Sequence, residues 1–200
     1  MLNHYKGFIM PLIIEGILAT EHEDGSLHYA PMGPVVNREL THWTLKPFQT
    51  STTFRNLQRT RRGVFHVTDD CYLLAAAAIG IKVEVTAYRE PDLGWILTDA
   101  CHWYALRFDE LDVSQDRAVA TGTVIRQNSS RPFWGWNRGK HAVLEAAILA
   151  TRKHILTREQ IVQEWDWLVI RVQKTGGDQE HRAMKMLADF LELPYALPLG

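Results

Sequence analysis

The sequence predicts a mainly β fold of the α+β class, with about six antiparallel strands followed by a helical C-terminal part. Up to about residue 126, extended apolar runs alternate with turn-forming residues, as is typical of strands. After about residue 140, apolar residues recur at helical spacing. With 200 residues, 46% of them hydrophobic, the chain is long enough to bury a core. We place a β-domain at 8–128 and a helical extension at 129–200.

The first two predicted strands, 9–19 and 27–36, flank a polar segment that contains Asp24-Gly25. Asp-Gly between two extended runs predicts a tight hairpin turn, because glycine accepts the positive φ that such turns need. Pro31 and Pro34 cannot donate hydrogen bonds to a neighbouring strand. The second strand is therefore predicted to be bulged or at a sheet edge, where its backbone is free to face a ligand.

The middle of the chain alternates further strands with two helices. A short helix is predicted to begin at a Thr52 or Thr53 cap, and an alanine-rich helix is predicted after Asp69-Asp70, ending at Gly80. Such interruptions favour a barrel over a plain sandwich. The further strands are predicted at 42–48, 64–67, 100–109 and 118–126.

Three helices are predicted in the C-terminal part. The first carries apolar residues from Ala142 to Ala150 at helical spacing. The second opens on the capping-box pattern that runs from Thr157 to Gln160. The third is predicted to be capped by Asp178 and to end before Pro194.

Composition argues against several classes of partner. With 22 Lys and Arg against 23 Asp and Glu, the net charge of -1 gives no general reason to expect nucleic acid or an anionic membrane. The most apolar early run, 8–18, is interrupted by Glu15 and is too short to span a bilayer. Two cysteines and no recognisable secretory signal favour the cytoplasm. No histidine has a partner at metal-ligand spacing, so no metal site is predicted.

Four consecutive hydroxyl side chains stand at a predicted strand-to-helix junction, with Arg55 just behind them. Free amides at a helix start, the helix dipole and side-chain donors together suit a phosphate dianion. An ordinary helix cap is the alternative, although four hydroxyls exceed what a cap needs. The hydroxyl residues are Thr50, Ser51, Thr52 and Thr53.

Two more segments are candidates for contact with a flat ligand. Pro31, Met32 and Gly33 offer apolar contact, and the glycine allows close backbone approach. The segment 131–138 combines two tryptophans with two arginines, a set that can cover a ring and pair with a phosphate. A simple edge-strand bulge is the alternative for the first segment and ordinary packing for the second, and Asn137 is equally suited to cap a helix.

Several motifs, taken in order, resemble an uncharacterised archaeal and bacterial family of the flavin-reductase-like, FMN-binding split-barrel superfamily. The resemblance runs from about residue 13 to residue 152. It departs from the family at Gly139-Lys140-His141, where the family has alanine after Asn-Arg. The matching runs are Glu15–Thr20, Ala30–Gly33, Thr50–Thr53 with Asn56-Leu57, and Asn137-Arg138 leading into Glu145-Ala146.

The resemblance implies a homodimer of split β-barrels that binds FMN near the subunit boundary. It places the flavin ring beside Pro31, Met32 and Gly33. The aromatic and basic segment 131–138, which contains the Asn-Arg motif, adds Trp134, Asn137 and Arg138 as candidate cofactor contacts. The implied phosphate contacts are Thr50, Ser51, Thr52, Thr53 and Asn56.

The implied function is that of an FMN-dependent oxidoreductase or flavin reductase, with a nicotinamide or another small molecule as electron partner. A flavin carrier without a substrate of its own is an alternative from a different class. A split barrel that binds deazaflavin, pyridoxal phosphate or haem is another, and His28, His66 or His102 would then be the candidate haem ligand. The sequence identifies no catalytic residue.

Overall fold

The computed structural model describes residues 11–196, so the predicted start of the first strand and of the β-domain, at 8–10, lies outside the described residues. Within this range the strands are β1 (Leu12–Ile13), β2 (Gly16–Glu21), β3 (Leu27–Met32), β4 (Val35–Val36), β5 (His42–Leu45), β6 (Arg62–Val67), β7 (Ala87–Glu90), β8 (Gly94–Leu97), β9 (His102–Asp112) and β10 (Val119–Ser129). The helices are α1 (Thr52–Thr60), α2 (Cys71–Ala78), α3 (Arg138–Thr151), α4 (Arg158–Thr175) and α5 (Asp178–Leu191).

Eight strands form one antiparallel sheet in the order β1-β4-β5-β10-β9-β6-β2-β3. Because β1 pairs with β4 and β2 pairs with β3, the segments 12–21 and 27–36 form one long bent hairpin. At the bend, the Ile14 amide donates to the Pro34 carbonyl at 3.2 Å. One end of this hairpin pairs with β6 and the other with β5, which curls the sheet into a split barrel. The predicted fold class is confirmed.

The hairpin turn and the strand edge follow from single residues. Gly25 has a φ of 83°, and the His22 amide donates to the Ser26 carbonyl at 2.9 Å, so the Asp-Gly turn forms as predicted. Strand β3, which carries Pro31, lies at one end of the strand order. This position explains why a residue without an amide hydrogen is tolerated there.

The two helices within the β-region begin at side-chain caps. The predicted cap of α1 at Thr52 or Thr53 is wrong, since Ser51 has the extended backbone of a cap and its hydroxyl accepts from the Phe54 amide. The predicted acidic cap of α2 is confirmed, because the Asp70 carboxylate accepts from the Leu73 amide at 2.9 Å. Capping at Ser51 leaves Thr52 and Thr53 in the first turn of α1.

The hairpin of β7 and β8 was not predicted. These two strands pair only with each other among the described residues, and they form a small second sheet over β2 and β6. The longest strands, β9 and β10, continue further than predicted, to Asp112 and Ser129. The third strand is shorter than predicted, because β5 ends at Leu45.

The two largest buried hydrophobic clusters among residues 11–196 lie in the barrel and beside the C-terminal helices. The barrel interior is filled by a cluster that includes Trp43, Phe65 and Leu106, all fully buried. A second core lies between α2 and the three C-terminal helices, where Cys71 and Ala75 of α2 belong to the same buried cluster. The small side chains of α2 allow close packing, so this helix joins the barrel to the C-terminal part.

The C-terminal helices begin much as the sequence predicts, with one difference. The capping box of Thr157 and Gln160 forms at the start of α4. The predicted cap of α5 at Asp178 is wrong, because Gly177 is the cap and its amide donates to Glu180 at 2.7 Å. None of the helices between residues 11 and 196 is long and apolar enough to cross a membrane.

Candidate functional site

The hydroxyl residues surround the start of α1. Ser51 is committed to the helix, since its hydroxyl accepts from the Phe54 amide and donates to the Phe48 carbonyl at 2.7 Å. The Arg55 guanidinium folds back over the first turn. It donates to the Thr50 carbonyl at 2.9 Å and to the Thr52 hydroxyl at 2.8 Å.

This helix start keeps donors that an anion can use. The amides of Thr52 and Thr53 stand in the first turn, where no preceding turn supplies carbonyl acceptors. The helix dipole and the exposed Arg55 add positive potential at the same place. The arrangement therefore suits a phosphate.

Two residues of the predicted phosphate set face the barrel. Thr53 is buried, and its hydroxyl oxygen lies 3.1 Å from Nε2 of His28 on β3. Burial, and after it the nearby His22 and Lys82, lower the pKa of His28 from 6.5 to about 4, so its ring is neutral near pH 7. Asn56 is also buried, and its amide donates to the Thr20 hydroxyl at 3.0 Å. These contacts hold α1 against β3 and β2.

The predicted ring contacts lie at the other end of β3. Pro31 and Met32 are half-buried, and Gly33 follows the strand. A Cβ atom on Gly33 would lie 2.8 Å from a carboxylate oxygen of Glu15, so the Glu15 side chain lies directly against the Gly33 backbone. At roughly 3.3 Å per residue, the five steps from His28 to Gly33 span about 16 Å. The two predicted parts of the site thus stand at opposite ends of one edge strand.

A cavity of about 390 Å³ opens between this end of the barrel and the C-terminal helices. Glu15 and Asn137 line it, which brings the Gly33 region and the Asn-Arg motif to one place. The hydroxyl residues of α1, Trp134 and Arg138 do not line it. Its walls are mainly apolar, and they include Ile13, Ile14, Val67, Leu74, Phe133, Trp136 and Leu144.

The aromatic loop before α3 is fixed by Asp69, one of the two aspartates that precede α2. Asp69 accepts from the Arg131 guanidinium through both carboxylate oxygens and from the Trp134 amide at 3.1 Å. The bond from Arg131 is the main reason why the pKa of Asp69 falls to about 2. Arg131 is therefore held by a carboxylate rather than left for a phosphate. Two adjacent aspartates, Asp69 and Asp70, precede α2, although one carboxylate is enough to cap a helix. The second aspartate was therefore the signal in the sequence for a further role.

Among the remaining residues of this segment, Asn137 caps a helix and the two tryptophans and Arg138 are exposed. Asn137 caps α3, accepting from the Lys140 amide at 3.0 Å and donating to the Thr175 carbonyl at 3.0 Å, as the cap alternative predicts. Trp134 and Trp136 are 86% and 98% exposed. Arg138, the first residue of α3, is also exposed. The indoles are thus available for contacts beyond their own chain.

Lys140 ties the barrel to the C-terminal helices. Its ammonium donates to the Asp69 carbonyl at 2.9 Å, to Gln179 at 3.0 Å and to Glu180 at 2.8 Å. The Cys71 thiol donates to the same Glu180 carboxylate at 3.3 Å. Burial raises the pKa of Cys71 strongly, which keeps the thiol protonated. Cys71 is therefore a buried structural group and not a nucleophile.

Of the three candidate haem ligands, His66 lies in the barrel wall on β6. His66 is fully buried; the Leu97 amide donates to its Nε2 at 3.0 Å, and its Nδ1 lies 3.3 Å from the Ile17 carbonyl. Both ring nitrogens of His66 are thus occupied. In the part of the chain that the structure describes, no group of three or more His, Cys, Asp or Glu side chains is placed to hold a metal ion.

The curled antiparallel barrel with its C-terminal helices defines a split-barrel protein. Residues 14–131 match the model of a family described as protein of unknown function (DUF447), N-terminal domain. Residues 137–189 match the second model of the same family. The chain belongs to this family, which confirms the resemblance inferred from its motifs. The loop between the two matched regions borders the cavity.

Two solved structures show the same fold. An FMN-bound protein of the same family from Methanosarcina mazei is 24% identical, with a TM-score of 0.77 over 91% of this chain and 96% of that one. The flavin reductase HpaC, in a complex with NADP+, is 15% identical, with a TM-score of 0.53 over 61% of this chain and 81% of that one. No curated protein matches the chain.

Proposed function

We propose that this protein is an FMN-binding flavoprotein that works as an oxidoreductase or flavin reductase. The observation that carries the proposal is the start of α1, where first-turn amides, Thr50, Thr52 and Arg55 converge beside an edge strand that ends at Met32, just before Gly33. The FMN-bound family member from Methanosarcina mazei and the flavin reductase HpaC support it.

The residues present fit the two ends of FMN. The phosphate is assigned to the Thr52 and Thr53 amides and to the surrounding hydroxyls, where Arg55 offsets its charge. The ring is assigned to Pro31, Met32 and Gly33, where half-buried apolar side chains at the end of an edge strand offer contact to a flat group. Bound FMN supplies hydride or electron transfer, and the chain supplies binding and orientation.

Two features support the finer proposal of a cytoplasmic homodimer with the flavin near the subunit boundary. Exposed apolar side chains cluster near the Gly33 end of β3, namely Leu12, Ile13, Phe133, Trp134 and Trp136. Apolar surface of this kind is typical of protein interfaces. Cys71 and Cys101 are free thiols, as is usual in a reducing compartment. In this dimer Trp134 and Arg138 border the flavin at the boundary.

The visible spectrum of the purified protein, followed by titration of the apoprotein with FMN, tests cofactor binding. We expect two flavin bands that dithionite bleaches, and saturable binding of one FMN per chain. A haem Soret band, or a featureless trace after incubation with FMN, would contradict the proposal.

Stopped-flow reduction separates an enzyme from a flavin carrier. We expect NADH or NADPH to reduce bound FMN faster than free FMN, because the protein orients the ring toward the donor. If neither nucleotide reduces the bound flavin faster, the oxidoreductase part of the proposal is wrong and the carrier alternative replaces it.

A further inference from the structure

The cavity between the barrel and α3 has the size and walls of a small-molecule site. Its volume of about 390 Å³ falls within the range of roughly 300 to 1,000 Å³ that is usual for such sites. It also lies at the junction of two domains, where ligand sites are frequent. At its mouth the rings of Phe133 and Trp136 stand edge to face with centroids 6.4 Å apart. These aromatic faces favour a flat ligand.

The charged groups around the cavity are paired, with one exception. Asp69 is held by Arg131, and the Nε2 atom of His141 lies 3.5 Å from Glu145. Lys140 has three N–H donors, and all three are used by Asp69, Gln179 and Glu180. Among residues 11–196, therefore, no lysine or arginine that lines the cavity is free to receive an anionic ligand.

Glu15 is the exception. Its carboxylate lines the cavity beside Gly33 and has no hydrogen-bond or ion-pair partner among residues 11–196. Partial burial, and after it the nearby Glu145, raise the pKa of Glu15. Glu15 is exposed at the edge of the cavity. A carboxylate in this position is stabilised by a ligand that brings it an N–H donor or a positive charge and shields the pair from water.

We propose that this cavity binds a second small ligand, a flat apolar molecule that is uncharged or cationic and donates an N–H group to Glu15. Trp136 and Phe133 cover its ring system, and the cavity rejects anions of the same size. Binding in the cavity does not depend on FMN. The placement of this ligand next to the flavin, as its electron partner, rests on the proposed function and on the contact between Glu15 and Gly33.

Two three-ring probes of opposite charge test the binding. Proflavine is cationic with exposed N–H groups, and anthracene carboxylate is anionic. We expect proflavine to bind the apoprotein saturably and to quench tryptophan fluorescence, and anthracene carboxylate to bind at least about tenfold more weakly, because the unpaired charge that residues 11–196 place at the cavity, that of Glu15, is negative. Equal affinities, or no saturable binding of proflavine, would overturn the proposal.

Three variants localise the probe. Glu15→Gln keeps the shape and removes the charge, so proflavine affinity should fall about tenfold while anthracene carboxylate binding should not weaken. Trp136→Ala should weaken both probes by roughly fivefold through lost stacking. Glu159→Gln, on the exposed start of α4, is the matched control and should leave both affinities unchanged. Unchanged charge preference in Glu15→Gln would place the probe elsewhere.

Competition with FMN separates this inference from the proposed function. If proflavine still binds the FMN-saturated protein, the cavity holds a second ligand beside the flavin. If FMN displaces proflavine and Glu15→Gln also weakens FMN binding, the flavin ring itself fills the cavity, and the inference fails while the proposed function stands. If proflavine binds as expected and FMN does not bind at all, the proposed function fails and the cavity site stands.

Discussion

At the scale of single residues, the polar side chain of His28 helps to pack α1 against β3 at one end of the proposed flavin site. Its Nε2 atom lies 3.1 Å from the Thr53 hydroxyl oxygen, so the pair links β3 to the first turn of α1. The environment of His28 lowers its pKa to about 4, mainly because burial disfavours the charged ring. The neutral ring is therefore part of the folded state near pH 7.

This lowered pKa predicts a loss of stability in mild acid. The unfolded chain takes up a proton on His28 near pH 6.5, whereas the folded protein does so only near pH 4. The free energy of unfolding therefore falls as the pH is lowered through this window. We expect His28 to account for about 1 to 2 kcal/mol of the fall, after allowance for its partial exposure.

Urea unfolding at pH 7 and pH 4.5 measures this contribution. The loss of stability between the two pH values should be smaller in His28→Gln than in the native chain, because glutamine keeps a polar group and does not titrate. His66, whose pKa is also lowered to about 4 by burial, still titrates in this variant, so part of the loss remains. His154→Gln, in an exposed turn, is the control. An identical loss in His28→Gln and the native chain would refute the assignment.

At the scale of elements, the attachment of the C-terminal helices depends on a few polar groups within an apolar junction. Glu180 is only 5% exposed, and Lys140 is its ion-pair partner at 2.8 Å. The Glu180 carboxylate also accepts from the Gly177 amide, which starts α5. One buried ion pair thus positions α3 and α5 against the end of the barrel, and with them the wall of the cavity.

Removal of one partner should cost much more than removal of a surface pair. Lys140→Met leaves the Glu180 charge buried without its cation, so we expect the free energy of unfolding to fall by about 3 kcal/mol. The second substitution Glu180→Gln in the same chain should recover part of this loss, because it removes the stranded charge. Urea unfolding of the single and double variants measures both effects.

Lys153→Met is the matched control for this experiment. Lys153 pairs with Glu192 at 3.4 Å, but both side chains are exposed, and such pairs contribute less than about 1 kcal/mol. Similar losses for Lys140→Met and Lys153→Met would mean that the buried pair does not hold the junction.

At the scale of the whole molecule, the strand pattern and the C-terminal helices could be predicted because they depend on local signals. The Asp24-Gly25 turn, the proline-bearing edge strand and the capping box at Thr157 each lie within a few residues of the element they specify. The β7 and β8 hairpin was missed, because its strands have four residues each and β7 mixes polar with apolar side chains. Such strands form where tertiary packing favours them.

The residues of the candidate site also differ in how far the sequence could predict them. The hydroxyl run at Thr50–Thr53 was visible because its members are consecutive in the sequence. The bond between Asp69 and Arg131 joins residues 62 positions apart, so no local pattern announces it. Glu15 gave a faint signal, as the one acid within an early apolar run, but its place at the cavity depends on the bend of the first hairpin.

Discrimination between FMN and riboflavin is the measurement that tests the phosphate assignment, and with it the proposed function, most directly. Riboflavin has the same ring and lacks the phosphate, so the native apoprotein should bind FMN at least roughly a hundredfold more tightly. The double variant Thr50→Val and Thr52→Val should lose about that factor for FMN while its fold and its riboflavin affinity are retained. Thr86→Val with Thr98→Val, on exposed positions away from α1, is the control. Equal affinities for the two flavins, or an FMN affinity that the double variant leaves unchanged, would contradict the proposed site.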